Sequence, residues 1–183
     1  MATTVVVGTY GDRSWAARAR RAVRSAEGQA ETIHVHGATL ADARNTGASR
    51  AAGDRLIFLD ADDRLAPGYI EAVETVDADL VQTAISYADA DPVMLATDDM
   101  TRRNYLHVGT AVNSRLFETV GGFHEWACYE DWELWLRILA AGATVGQAPA
   151  AVYHADGGGR NDLPRPIQLA TWRAIRRLHQ GAA

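Results

Sequence analysis

Two rhythms alternate along the chain: short β-branched runs, and stretches in which apolar residues recur every three or four positions. TTVVVGTY (3–10) is a β-branched run ended by Gly8 and Gly11, predicting a strand and then a loop. Asp12 can cap a helix from Arg13 to Ala26, where Trp15, Ala19, Ala22, Val23 and Ala26 keep helical spacing. Arg18, Arg20, Arg21 and Arg24 of that segment read as a solvated face. ETIHVH (31–36) alternates and predicts a second strand. LADARNTGASRAAG (40–53) predicts a helix closed by Gly53. RLIFLD (55–60) is nearly continuous in apolar residues, as a strand covered on both faces should be.

Further along, APGYIEAVETV (66–76) predicts a short helix with Pro67 near its start, and ADLVQTAISY (78–87) a fourth strand. Residues 89–104 have weak periodicity and read as a surface connection. YLHVGTAVNSRLFETVGGF (105–123) gives a strand and a short helix ended at Gly121. EDWELWLRILAAG (130–142) is a helix with Trp132, Trp135, Leu136 and Leu139 on one face, and ATVGQAPAAVYH (143–154) a last strand or two. After the loop ADGGGRNDLPRP comes an amphipathic helix, IQLATWRAIRRLH (167–179), with Ile167, Ile175 and Leu178 on one side and Arg173, Arg176 and Arg177 on another. Such a helix packs on its own domain or lies on a membrane surface. Strands alternating with helices predict an α/β fold with a mostly parallel sheet and helices on both faces. We expect a single domain over 1–183, with a core over about 3–155 and a C-terminal loop and helix over 156–180.

Composition narrows the function classes. The 183 residues are 48% hydrophobic, ample for a packed core. The net charge of −5 gives no basic excess for nucleic-acid binding, and all eighteen basic side chains are Arg. Cys128 stands alone, which excludes an internal disulfide and fits a reducing compartment. The opening strand pattern leaves no room for a leader, and no apolar run reaches membrane-span length. These features predict a cytoplasmic protein.

In α/β sheets ligands sit beyond the carboxyl ends of the strands. Tyr10, Asp12, His36 and the cluster Asp60, Asp62 and Asp63 fall at such ends. Like charges this close repel unless a cation or hydrogen-bond donors hold them. Asp60-Ala61-Asp62 can aim two carboxylates into one cavity, where Mg²⁺ or Mn²⁺ would bind jointly with substrate phosphates. Asp also suits a solvated turn. A second acidic pair, Glu130-Asp131, opens a helix beside Trp126, Tyr129 and Trp132. Acids are ordinary at a helix start, but carboxylates among aromatics suit a general base.

ARNTGASRAAGDRLIFLDADD (43–63) followed by FETVGGFHEWACYEDWELWLRILAAG (117–142) resembles the family 2 glycosyltransferases, inverting enzymes of the GT-A fold. The resemblance is close over 43–63 and 117–139 and weaker from about Val5 to His154. It implies transfer of a sugar from a nucleoside diphosphate sugar, a UDP-sugar first among them, to an acceptor hydroxyl, assisted by Mn²⁺ or Mg²⁺. Thr9 and Tyr10 would line the base pocket, with Asp12 beside them. Arg44 would approach the base or diphosphate, and Asn45 would shape the same helix start. Asp60 and Ala61 would hold the ribose side, Asp62 the metal, with Asp63 as its partner or alternative. Asp131 would be the general base, staying mainly ionised at neutral pH, and Glu130 would support it or bind the acceptor. Trp126, Tyr129 and Trp132 would line the acceptor site. His154 is either a late metal ligand or a strand-end His facing water. Arg160 sits in a Gly-rich segment that either closes over the diphosphate or only connects. The chain departs from the family where Gly8 replaces a Pro and where His36 stands at a position relatives fill with an acid; a neutral imidazole still accepts a base N–H. A non-catalytic nucleotide-sugar binding module and a nucleotidylyltransferase are the competing readings, the latter weakened by the absence of Lys.

Overall fold

The computed structural model describes residues 2–156 and 163–179. Thirteen elements follow in the order β1 (Thr3–Tyr10), α1 (Ser14–Ala26), β2 (Glu31–Gly37), α2 (Leu40–Arg50), β3 (Arg55–Asp60), β4 (Arg64–Leu65), α3 (Tyr69–Glu74), β5 (Leu80–Tyr87), β6 (Ala111–Asn113), α4 (Ser114–Thr119), α5 (Glu130–Ala140), β7 (Val145–Ala155) and α6 (Arg165–His179). The strands form one sheet in the order β2-β1-β3-β6-β5-β7-β4. β1 pairs in parallel with β2 and β3, and β5 with β7. β6 runs antiparallel to both β3 and β5, and β4 antiparallel to β7. The sheet is therefore mixed: three parallel and three antiparallel pairings replace the expected mostly parallel arrangement. The antiparallel strands are two or three residues long, too short for alternation to show.

Strand alternation sorts the side chains into two cores. Val5, Val7, Ile57, Leu59 and Val81 meet α1 and α3 on one face. Val6, Leu56, Phe58 and Leu80 meet α2, α4, α5 and α6 on the other. This is why RLIFLD reads as continuously apolar: each face of β3 has its own helix layer. α2 ends at Arg50, three residues before Gly53, because Ala51 turns extended. The 143–154 pattern becomes one strand, β7, whose register against β5 shifts between Thr83 and Ala84 and so absorbs Pro149. α6 docks through Thr171 and Ile175, with Trp172 stacked on Trp132, while Leu169 and Leu178 stay exposed.

Candidate functional site

The carboxyl ends of β1 and β3 face the start of α5 across a cleft of about 910 Å³. Thr9, Tyr10, Asp60, Ala61 and Asp62 line the sheet side, and Tyr129, Glu130 and Asp131 the other. The two acidic motifs, about 70 residues apart in sequence, thus share one cavity.

Arg44 joins the two walls. Its Nη2 donates to Asp60 Oδ1 at 2.6 Å and its Nη1 to Glu130 Oε1 at 3.1 Å. The guanidinium carbon lies 4.8 Å from the Phe123 ring centre. Burial alone would lower the Arg44 pKa, but Asp60 and Glu130 outweigh it and keep the group charged. Gly8 makes room for this: a Cβ there would come within 3.1 Å of Arg44 Cγ and 3.3 Å of Leu40 Cδ1. Arg44 is thus committed to two carboxylates from inside the protein.

The aspartates after β3 divide their work. Asp63 folds inward, its Oδ2 accepting from the Tyr153 hydroxyl at 2.8 Å and its Oδ1 from the Asp156 N–H at 2.9 Å. Burial and then Asp60 push its pKa up to about 7. Asp62 faces the cleft, and among the described residues it forms no ion pair. Burial and then the charge of Asp60 raise its pKa. Among the described residues, Asp62 is thus a carboxylate with no ion-pair partner.

On the facing wall, Tyr129 precedes α5 in the left-handed region at φ 62°, a conformation a bulky residue adopts only at a cost in strain. The helix then buries Glu130 against Arg44 and leaves Asp131 toward the cleft. Asp131 Oδ1 accepts from the Trp132 N–H at 2.8 Å, and Oδ2 from Asn104 Nδ2 at 3.2 Å. Burial first and Glu130 second push the Asp131 pKa up to about 7, outweighing the Trp132 N–H and Arg44. Against the expectation of a carboxylate mainly ionised at neutral pH, burial and Glu130 thus work in the opposite direction to the helix start.

The remaining candidates fall in several places. The Thr9 hydroxyl lies 3.0 Å from both His34 Nε2 and His36 Nδ1. His36 is exposed on the edge strand β2 and does not line the cleft. Asp12, also outside the lining, accepts the Ser14 N–H at 2.7 Å at the start of α1. Asn45 clasps the 121–123 turn, donating to the Phe123 carbonyl at 2.9 Å and accepting its N–H at 2.8 Å. The close pass of Gly122, at φ 69° beside Asn45, explains the glycine pair. Trp132 is 2% exposed and donates to the Met100 carbonyl, so it belongs to the core rather than to an acceptor surface. Trp126 is half-buried against the same core and outside the lining. Tyr129 does line the cleft, its hydroxyl donating to Gln168 at 3.0 Å. Arg160 lies outside the described residues.

Sequence reasoning missed Asn104, Tyr87, Leu95 and the two α6-side residues Leu163 and Ile167, all of which line the cleft. Asn104 and Leu95 sit in the aperiodic 89–104 segment, where no spacing singles out a residue. Leu163 and Ile167 flank the start of α6, and only their apolar character in a polar stretch marked them.

The residues fit a divalent cation in one specific way. Asp62 offers hard oxygen ligands with no competing cation among the described residues, and Mg²⁺ or Mn²⁺ is commonly held by one or two carboxylates plus substrate phosphates. Among the described residues no group of three or more His, Cys, Asp and Glu side chains is arranged to hold a metal. His154 sits between Tyr153 and Ala155, which line the cleft, and so on the opposite face of β7; its Nδ1 is 3.5 Å from Asp89. A cation would therefore be shared between Asp62 and a bound ligand.

Comparison with known proteins gives this arrangement a place. Residues 12–79 match the family model described as glycosyl transferase family 2. The matched segment runs from the first loop through β3 and its aspartates, so the match takes in the β3 part of the sheet-side wall and leaves out Thr9 and Tyr10. No curated protein matches the chain in sequence. Among solved structures, the S. aureus protein TarS (residues 1–349, in complex with UDP-GlcNAc) superposes with a TM-score of 0.68 at 13% identity, over 100% of this chain and 66% of that one. A longer TarS structure gives 0.67 at 14% identity, over 86% of this chain and 37% of that one. The fold is thus that of these GT-A glycosyltransferase structures, and the chain spans between 37% and 66% of their length.

Proposed function

We propose that the protein is an inverting glycosyltransferase that moves a sugar from a nucleoside diphosphate sugar to an acceptor hydroxyl. The observation that carries this reading is the shared cleft: Asp62, without an ion pair among the described residues, on one wall and a base-like Asp131 on the other. The family match over the β3 aspartates and a structural neighbour solved with UDP-GlcNAc make a UDP-sugar the first donor to test.

The nucleotide would lie over the ends of β1 and β3, beside Thr9 and Tyr10, with Asp60 at the ribose side. Asp62 would hold a Mg²⁺ or Mn²⁺ ion jointly with the diphosphate; the ion, when bound, offsets negative charge on the leaving group. The anomeric carbon would then face α5. Asp131 accepts the acceptor hydroxyl proton as that oxygen forms its bond to the anomeric carbon and the bond to the diphosphate breaks. Attack from the side opposite the leaving group inverts the centre. A pKa near 7 suits a base at neutral pH, since enough is ionised and what is ionised is basic. Asn104 and the Trp132 N–H fix the direction of the carboxylate.

The test is release of UDP from a panel of UDP-sugars with Mn²⁺ and acceptor. Wild type should turn over one of them, and Asp131→Asn should cut the rate by about a hundredfold or more. Asp131→Asn keeping most of the rate would remove the base from this carboxylate.

A further inference from the structure

The wall around Asp131 carries chemistry beyond the donor site. Away from the aspartates the cleft is lined by Tyr87, Leu95, Val108, Tyr129, Leu163 and Ile167. These come from β5, the 89–110 connection, the approach to α5 and the start of α6, so four separated segments supply apolar surface to one end of one cavity.

The polar side chains at this end are already engaged. Asn104 donates to Asp131 and accepts the Leu106 N–H at 3.1 Å. His107 accepts the Gly109 N–H on Nδ1 at 3.1 Å and meets the Thr83 hydroxyl through Nε2 at 3.0 Å. Gln168 accepts from the Tyr129 hydroxyl and donates to the Leu163 carbonyl at 2.7 Å. Among the described residues, the side chains at this end that turn polar atoms to the cleft with acceptor capacity to spare are the Asp131 carboxylate, beyond its bonds to Asn104 and the Trp132 N–H, and the Tyr87 hydroxyl. A saccharide acceptor brings several hydroxyls, and each one buried without a partner loses its water for nothing. An acceptor with one hydroxyl on an apolar body matches the wall: the hydroxyl goes to Asp131 and the body displaces water from the aliphatic side chains.

We infer that the acceptor is an apolar alcohol, its single hydroxyl placed at Asp131 and its hydrocarbon body seated between Leu95, Val108, Leu163 and Ile167. The inference rests on the glycosyltransferase reading and names the acceptor class for that same cleft.

The test is ligand-observed NMR on the whole chain with UDP and Mg²⁺ present, using 1-octanol against methyl α-D-glucopyranoside. Octanol should bind and the glucoside should not. The double variant Leu163→Asn, Ile167→Asn, at two partly exposed positions that tolerate polarity, should weaken octanol roughly tenfold or more. Equal or tighter glucoside binding, no octanol binding, or octanol binding indifferent to the double variant would each overturn the inference. A UDP titration on the same wild-type sample separates the two levels. UDP bound without octanol bound defeats the acceptor class alone, whereas failure to bind UDP defeats the glycosyltransferase reading itself.

Discussion

The two walls of the cleft are built in different ways. The sheet-side wall is local: Thr9 and Tyr10 end one strand, and Asp60, Ala61 and Asp62 end another. The α5-side wall is assembled from distant pieces, with Asn104, Asp131, Leu163 and Ile167 meeting only because α5 and α6 pack on the same core. A strand end dictates where its own side chains go, so a short motif suffices on the first wall. The second wall depends on packing between elements, and no short pattern encodes it. What ties the walls together is one buried cation, Arg44.

The largest effect should come from breaking that tie. Arg44→Met leaves Asp60 and Glu130 beside each other without a counter-charge, and removing one partner of a buried ion pair costs about 3–5 kcal/mol. Denaturant unfolding should show a loss of that size. An unchanged midpoint would mean that the walls are held by the apolar packing around Phe123 instead.

Next in size is the pH response. Asp131 must be ionised to accept a proton, so transfer should fall as pH drops through about 7. Glu130→Gln removes the like charge beside it and should move this limb down by about one pH unit. Asn104→Ala removes a donor to the ionised form and should move it up by a smaller amount, with a rate loss of a few fold at pH 7. A limb that stays in place in both variants would assign it to another group.

The raised pKa values also make stability depend on pH. Asp63 and Asp131 both hold their protons more tightly folded than unfolded. Ionisation therefore costs the folded state, and the ligand-free protein should gain stability as pH falls from about 7 toward about 4. Asp63→Asn should flatten part of this slope in melting curves at pH 5.5 and 8. A wild-type melting point that rises with pH over this range would contradict the burial assigned to both groups.

The fold was largely readable because its periodicities are physical: β3 has a helix layer on each face and reads as unbroken apolar sequence, and α5 carries its tryptophan stripe. The short antiparallel strands β4 and β6 were not fully readable, since two or three residues cannot show alternation. On the sheet-side wall the motifs placed Asp60 and Asp62 at the cleft. The pairing of Arg44 with Asp60 and Glu130 was not readable, because a charged residue in a motif says nothing about whether its charge is already taken. Trp132 misled for a related reason: an aromatic beside a carboxylate lines a site or fills a core according to helix rotation, and here its Nε1 points to the Met100 carbonyl.

The central claim is that one wall binds the donor and the other performs the proton transfer. Calorimetric titration of UDP with Mn²⁺, run in parallel with the transfer assay on Asp62→Asn and Asp131→Asn, tests it most directly. The account predicts that Asp62→Asn weakens UDP about tenfold or more and abolishes its dependence on Mn²⁺, while Asp131→Asn binds UDP as wild type does and transfers sugar about a hundredfold or more slowly. UDP affinity that falls equally in both variants, or in neither, would contradict the division of the cleft.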